Sequence, residues 1–269
     1  MDFHSVEKDG RFVSLLRKRY WHVKNKWKRH QSLTGHPVLK RHLPPTRLLR
    51  PGTLRSFLRK YDIVYVKPVY GSFGNRILRI SRGGRSYFLR YERRTERIPT
   101  ERAVAKRVYR HAGRRRYHLQ KGIRLLTLGG HPVDFRVLLL RPGEKWQVMG
   151  IIGKAATGGR VVTNYQHGGR PVRFRETLRQ VGWSERDIQD AKARIERLCL
   201  LAAAQFNKRH KHCRRLGVDI GLDRDKRIWF IEVNTNPYYE LFRHHENRAL
   251  YGKIDRLMKR ISAVQSNRW

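Results

Sequence analysis

The stretch Leu216–Pro237, LGVDIGLDRDKRIWFIEVNTNP, sets two apolar runs either side of a polar turn and places Asp219, Glu232 and Asn234 inside them. The chain carries 62 Lys and Arg against 21 Asp and Glu, so acids within apolar runs need a reason. Buried carboxylates are costly unless they are paired or hold a cation. Taking DRDK (223–226) as the turn between strands 216–222 and 227–233, centred between Arg224 and Asp225, sets Asp219 opposite Phe230. Opposed residues share a face, and alternation brings Glu232 and Asn234 onto that face too. Val218, Ile220 and Leu222 then join Trp229, Ile231 and Val233 on the other, apolar face. Asp219 and Glu232 become diagonal neighbours, roughly 7 Å apart at the backbone. Oxygen ligands of this kind suit Mg²⁺, which keeps waters and binds through one or two carboxylates together with substrate phosphates. The alternative is a structural network in which Arg214 or Arg215 pairs with the acids.

A place for phosphates lies upstream. In VYVKPVYGSFGNRI (64–77) a strand ends in Lys67 and turns through Gly71, Ser72, Phe73 and Gly74. Glycines let backbone N–H groups approach phosphate oxygens, and a lysine adds a point charge. Alone, such a loop is more often only a hairpin turn; the carboxylate hairpin beside it reverses that preference. No Walker A sequence and no GxGxxG after a strand accompany it.

Around these two stretches the periodicity predicts mixed elements. A helix is expected over 11–29, with Phe12, Leu16, Tyr20, Val23 and Trp27 on one face and basic residues opposite. HLPPTRLLRPG (42–52) reads as a connector, followed by a short helical stretch to Lys60. DIVYVKP, RILRI and SYFLRY read as strands, residues 100–110 as a helix, and DFRVLLLR with KWQVMGII as a hairpin. A long helix runs over 184–210, with Ser184 as N-cap and Ile188, Ala191, Ile195, Leu198, Ala202 and Phe206 as its apolar stripe. A last helix carries Leu250, Ile254, Leu257, Ile261 and Val264. Strands and helices mix without strict alternation, so the class is α+β. The expected organisation is a basic helical segment over 1–60, a small lobe with the glycine loop over 61–125, and a large lobe with the carboxylate hairpin over 126–269.

Hydrophobic residues at 39% and aromatics at 10% exclude a disordered chain. The formal net charge of +41 favours a polyanionic partner or an anionic substrate. No carboxylate occurs between Asp9 and Asp62. Cys199 and Cys213 lack metal-ligand spacing, which argues for a reducing compartment without disulfides. The start has no apolar secretory region, and no apolar run reaches membrane-spanning length. The chain is therefore expected to be soluble and cytoplasmic, without a membrane partner. The GGR triplets at 83–85, 158–160 and 168–170 read as turns, and the histidines of KRHKHC (208–213) and HHEN (244–247) lack metal spacing.

Together these pieces resemble the ATP-grasp superfamily, in which two α+β lobes hold Mg-ATP between them, and within it the YheC/YheD-like family of endospore coat-associated proteins. Similarity extends to the ribosomal-protein glutamate ligases through the ending GVDI…EVN..P. The quoted blocks are NKWKRHQSLTGHPVLKRHLPPT, VKPVYGSFGNRI, DFRVLLL…VMGIIGKAATGGRVVTNYQHGG and LGVDIGLDRDKRIWFIEVNTNP. The resemblance implies that Asp219, Glu232 and Asn234 hold Mg²⁺. It gives Lys26 and Lys67 the phosphate oxygens, with the loop Gly71–Gly74 covering them. Gln120, Lys121 and Ile123 fall at the hinge where adenine stacks. Arg136, Lys154 and Asn164 face the transferred phosphoryl group. Lys154 departs from the arginine common there in related ligases, and the two are not interchangeable at an oxyanion. Residues 1–60 are also too few for the α/β domain that usually precedes the nucleotide lobes, so an open site taking a large partner or a peptide end is expected.

The expected activity is an ATP- and Mg²⁺-dependent carboxylate–amine or carboxylate–thiol ligation through an acyl phosphate, on a peptide or polymer in spore formation. The competing readings are a polyanion- or nucleic-acid-binding protein and a structural coat-associated protein, each on a non-catalytic ATP-grasp fold. Basic residues interleaved with Tyr20, Trp21 and Trp27 support the first of these.

Overall fold

The computed structural model describes residues 23–71, 75–156 and 169–266. Most of the helix expected over 11–29, and the GGR triplet at 158–160, lie outside these residues. The described chain becomes helical only at Lys26, where the side chain of Asn25 accepts from the Lys28 N–H and caps α1, Lys26–Thr34. A short α2, Pro37–Arg41, follows.

Two antiparallel sheets organise the molecule. The first has the order β1-β6-β2-β3-β4-β5. Its strands are β1 (Thr46–Leu48), β2 (Ile63–Pro68), β3 (Leu78–Gly83), β4 (Ser86–Tyr91), β5 (Arg94–Ile98) and β6 (Tyr117–Lys121). β1 lies within the stretch expected as a connector, and β5 had no clear apolar alternation because Arg94–Arg97 are all exposed. In β2, Val64 and Val66 point into the core while Ile63, Tyr65 and Lys67 are half-buried on the opposite face. The core beneath is closed by Leu54, Phe57 and Leu58 of α3 (Pro51–Lys60) and Val104 and Val108 of α4 (Glu101–Ala112).

The second sheet has the order β10-β9-β8-β11-β12, with β7 (Thr127–Leu128) paired to β8. Its strands are β8 (His131–Leu140), β9 (Gln147–Ala155), β10 (Arg170–Arg173), β11 (Arg215–Leu222) and β12 (Ile228–Asn234). After α5 (Phe174–Gln180), the long α6 (Glu185–Arg209) covers one face. Ser184 caps α6, and Ile188, Ala191, Ile195, Leu198, Ala202 and Phe206 form its buried stripe as expected. They pack with Val133, Phe135 and Val137 of β8, each such burial contributing about 1.5–3 kcal/mol.

The opposite face of this sheet is divided. At one end Leu138, Leu140, Met149 and Ile152 are covered by α7 (Ala249–Ser266) and by the 3-10 turn Glu240–His244. At the other end the same face carries charged residues instead.

Residues 26–60 do not stand apart as a basic helical segment. Leu33, Leu39 and Leu43 enter the core of the second sheet, whereas β1 and α3 belong to the first. The segment thus straddles both layers, because its apolar residues are split between two cores. Cys199 and Cys213 are buried free thiols. No described helix is long and apolar enough to cross a membrane.

Candidate active site

The carboxylate hairpin folds with a register that differs from the one centred on its turn. Asp219 stands opposite Glu232, with Val218 opposite Val233 and Gly217 opposite Asn234. Beyond an irregularity between Asp219 and Ile220 the pairing changes to Ile220–Phe230 and Leu222–Ile228. Ile231 is the extra residue of a β-bulge, which breaks strict alternation along β12. The apolar face is consequently Val218, Ile220, Leu222, Ile228, Phe230 and Val233, all in the core. Trp229 and Ile231 leave that face, correcting the expected set. The indole of Trp229 donates instead to Asp223 at 2.7 Å and lies beneath Arg227. Asp219, Glu232 and Asn234 do share the opposite face.

Register then extends the charged face across the sheet. Asp219 lies opposite Arg136 of β8, and Asp134 of β8 lies opposite Lys154 of β9. Arg136 grips Asp219 with two prongs, Nε to Oδ1 at 2.8 Å and Nη2 to Oδ2 at 3.0 Å. Lys154 Nζ bridges Asp219 Oδ1 at 2.8 Å and Asp134 Oδ1 at 2.9 Å. Gly217 makes room for this, since a Cβ there would meet Arg136 Cδ at 3.1 Å and Pro237 Cβ at 2.6 Å. Arg214, an expected partner of these acids, donates instead to the carbonyls of Arg141 and Gly143.

Glu232 draws its cations from elsewhere. Lys26 and Arg29, three residues apart on α1 and so on one face, reach Glu232 Oε1 at 3.3 and 2.8 Å. Arg29 also donates to Asn234 Oδ1 at 3.0 Å, while Asn234 Nδ2 donates to Asp219 Oδ2 at 3.3 Å. Arg29 was not singled out in the sequence. Its helical spacing from Lys26 was the available signal, hidden because the helix was expected to end at residue 29.

The first sheet contributes Lys67, whose Nζ donates to Gln120 Oε1 at 2.5 Å. Gln120 Nε2 makes a long 3.5 Å contact to the carbonyl of Ile231, the bulged residue. Lys26 N–H donates to the Val69 carbonyl, tying α1 to the end of β2. A cleft between the sheets is lined by Lys26, Arg29, Lys67, His118, Gln120 and Glu232. In the link after β6, Gly122 N–H donates to the Ile63 carbonyl and lies close against the Ile63 side chain. Lys121 stands over the rings of Tyr61 and Trp229, and Ile123 is half-buried beside it. Gly71, at a φ of 130° that glycine tolerates, closes β2. Ser72, Phe73, Gly74 and Asn164 lie outside the described residues.

Burial and charge act against each other throughout. Burial would raise the Glu232 carboxyl, but Lys26 and Arg29 bring it down to about 2. Burial likewise works against ionised Asp219, yet Arg136 and Lys154 hold it well below the usual carboxylate range. Burial lowers Lys67 to about 8, with Glu232 opposing and Lys26 assisting the shift. His118, at about 3, and His30, at about 4, are pushed down first by burial and then by neighbouring cations, so both are neutral at pH 7.

Among the described residues, the cations Lys26, Arg29, Lys67, Arg136 and Lys154 outnumber the carboxylates Asp134, Asp219 and Glu232. The excess positive charge suits an anionic ligand. No group of three or more His, Cys, Asp or Glu residues forms a self-sufficient metal site among them. Two carboxylates and an amide oxygen on one face nevertheless fit a hard cation held jointly with phosphate. The Glu232 side chain, held at Oε1 by Lys26 and Arg29, is 28% exposed.

Two antiparallel sheets meeting over a cleft, with a lysine from the first and a carboxylate hairpin from the second, define an ATP-grasp protein. Residues 19–261 match the YheC/D-like ATP-grasp family, and the chain belongs to it. It is 26% identical over 234 residues to the endospore coat-associated protein YheD of Bacillus subtilis (strain 168), covering 82% of this chain and 49% of that protein. The corresponding protein YheC of the same organism is 24% identical over 229 residues, covering 79% and 60%. The chain therefore spans about half to three-fifths of the length of these curated relatives. Among solved structures, the D-cycloserine synthetase DcsG superposes with a TM-score of 0.53 at 16% identity, over 91% of this chain and 72% of that one. The ATP-grasp ligase PsnB complexed with a minimal precursor gives 0.51 at 15% identity, over 88% and 60%. At these identities the likeness is one of fold.

Proposed function

We propose that the chain is an ATP- and Mg²⁺-dependent ligase that joins a carboxylate to an amine or thiol, on a peptide or other polymer. The observation that carries this reading is Glu232, gripped by Lys26 and Arg29 while Lys67 approaches from the other sheet. A cation-rich cleft with ionised carboxylates on one wall is the arrangement a metal–triphosphate requires. Bound nucleotide supplies a phosphoryl group that activates a carboxylate as an acyl phosphate, from which the nucleophile displaces phosphate.

The chain's own residues have distinct parts in this scheme. Lys26 and Lys67 neutralise phosphate oxygens, and the lowered pKa of Lys67 leaves it mostly protonated at neutral pH. Asp219, Glu232 and Asn234 hold the metal, while Arg29 keeps Glu232 ionised and oriented before the ligand arrives. Arg136 and Lys154 fix Asp219 and stabilise charge developing on the transferred group. Gln120, Lys121 and Ile123 border the base. The burial of Lys154 beside Asp219 supports exclusion of water from a hydrolysable intermediate. The spore-coat names of the relatives support action in that setting.

Calorimetric titration of ATP into the protein with and without Mg²⁺, at about 150 mM salt to suppress non-specific attraction, tests this reading. The increment in affinity added by Mg²⁺ should vanish in Glu232→Gln while the variant keeps its melting transition. Weak, salt-sensitive binding that is the same in both proteins would overturn it. The net charge of +41 favours the second reading, a polyanion-binding protein on this fold, and that outcome would support it.

A further inference from the structure

A second cleft opens at the far edge of the second sheet, between β10 with α5 on one side and the segment Glu240–Arg248 on the other. Arg170, Arg173, Arg243 and Arg248 are exposed around it, with half-buried His245 and one acid, Glu176. Glu176 lies 3.8 Å from Arg173, and Arg243 is occupied by Glu240 at 2.6 Å. Arg170 and Arg248 enter no ion pair among the described residues. Like charges gathered at a concave surface repel one another, and they focus potential onto an anion entering it.

The position of this cleft relates it to the charged face. Pro171 of β10 is the register partner of Lys154, and Arg173 that of Ile152. Opposed residues share a face, so the arginine-lined edge begins one strand away from the lysine that bridges Asp134 and Asp219. β10 is the last strand of its sheet among the described residues. An edge strand offers unpaired backbone groups to an extended chain. Among the described residues no Phe, Tyr or Trp lines the cleft, whereas single-stranded nucleic acid is held on aromatic stacking platforms.

We propose that this cleft is the acceptor site for an acidic peptide segment, whose carboxylates pair with Arg170, Arg173 and Arg248 and whose end reaches Lys154. The proposal rests on the ligase reading for the peptide's role as substrate, and on the cleft alone for its binding. Guanidinium groups engage carboxylates through two prongs, and several spaced along a groove select a run of acids over a single one. The +41 chain then has a substrate of complementary sign.

The test uses a fluorescein-labelled deca-glutamate peptide, read by anisotropy at about 150 mM salt. Against the wild type stand a cleft variant, Arg170→Gln with Arg173→Gln and Arg248→Gln, and a charge-matched control, Arg114→Gln with Arg115→Gln and Arg93→Gln. The cleft variant should weaken the peptide by about tenfold or more and the control by less than about twofold. Equal weakening in both, or none in either, overturns the proposal. So does an oligo-dT of equal charge that displaces the peptide and shows the same dependence on the cleft arginines. Titration with Mg-ATP separates the two readings. A cleft-dependent peptide affinity in a protein that fails to bind Mg-ATP sustains this binding site and removes the ligase.

Discussion

Asp219 faces Glu232 directly across the β11–β12 ladder, yet each carboxylate takes its cations from a different part of the molecule. Asp219 is held from within the second sheet by Arg136 and Lys154, and Glu232 from outside it by Lys26 and Arg29. Asn234 joins the halves by accepting from Arg29 and donating to Asp219. Two adjacent negative charges are thereby kept ionised in a buried place.

Asp219→Asn should be severely destabilising. It leaves Arg136 without its buried partner and Lys154 with Asp134 alone, and breaking a buried pair costs about 3–5 kcal/mol. Urea denaturation reads the loss. In a double-mutant cycle Lys154→Met should cost less in the Asp219→Asn background than in the wild type, because the two share one network; simple additivity would show that they act independently.

Arg29→Met should cost about 1–3 kcal/mol, since Glu232 and Asn234 lose a shared donor. Arg29→Lys should recover only part of this, because an ammonium cannot span Glu232 Oε1 and Asn234 Oδ1 as the planar guanidinium does. Full recovery in Arg29→Lys, seen as an unchanged denaturation midpoint, would mean that charge alone matters.

Acid should weaken the fold through these same groups. Glu232 titrates at about 2 when folded against an ordinary 4.5, and Asp219 is also depressed. The unfolded chain therefore binds more protons through this range, and stability present above pH 4.5 is lost as pH falls toward 2. Unfolding free energy followed downward from pH 6 should show a smaller slope in Glu232→Gln. An unchanged slope would place the acid sensitivity elsewhere.

Alkali should act on nucleotide affinity and on the fold in opposite directions through Lys67. Lys67 loses its proton from about 8 upward, so the affinity for Mg-ATP should decline as pH rises beyond that value. Lys67→Arg, which stays charged, should flatten the decline across pH 7–10. Over the same interval the folded state binds fewer protons than the unfolded chain, so this residue makes stability rise with pH. Opposite trends for affinity and stability in one protein would be the signature of Lys67.

Much of this architecture was legible in local pattern. The stripe from Ile188 to Phe206, the alternation of Val64 and Val66 against Lys67, and the shared face of Asp219, Glu232 and Asn234 are periodicities of the chain itself. The register of the hairpin was not. Counting back from the turn at Asp223–Lys226 assumes one residue opposite one residue, and the bulge at Ile231 breaks that equality. A bulge moves Phe230 into the core and Trp229 out without altering composition, so alternation alone assigns the wrong pair.

The sequence by itself determined which residues are apolar, that a long helix starts after the Ser184 cap, and that carboxylates occupy strands in a cationic chain. Only the tertiary structure decided which cations satisfy them. Arg214 adjoins the hairpin in sequence but donates to the carbonyls of Arg141 and Gly143, whereas Arg29 arrives from 203 residues away. A side chain's partner is fixed by the packing of whole elements: α1 docks on β12, and β8 aligns Arg136 with Asp219. Those alignments minimise the cost of burying charge over all strands together, a condition that no local window of the sequence contains.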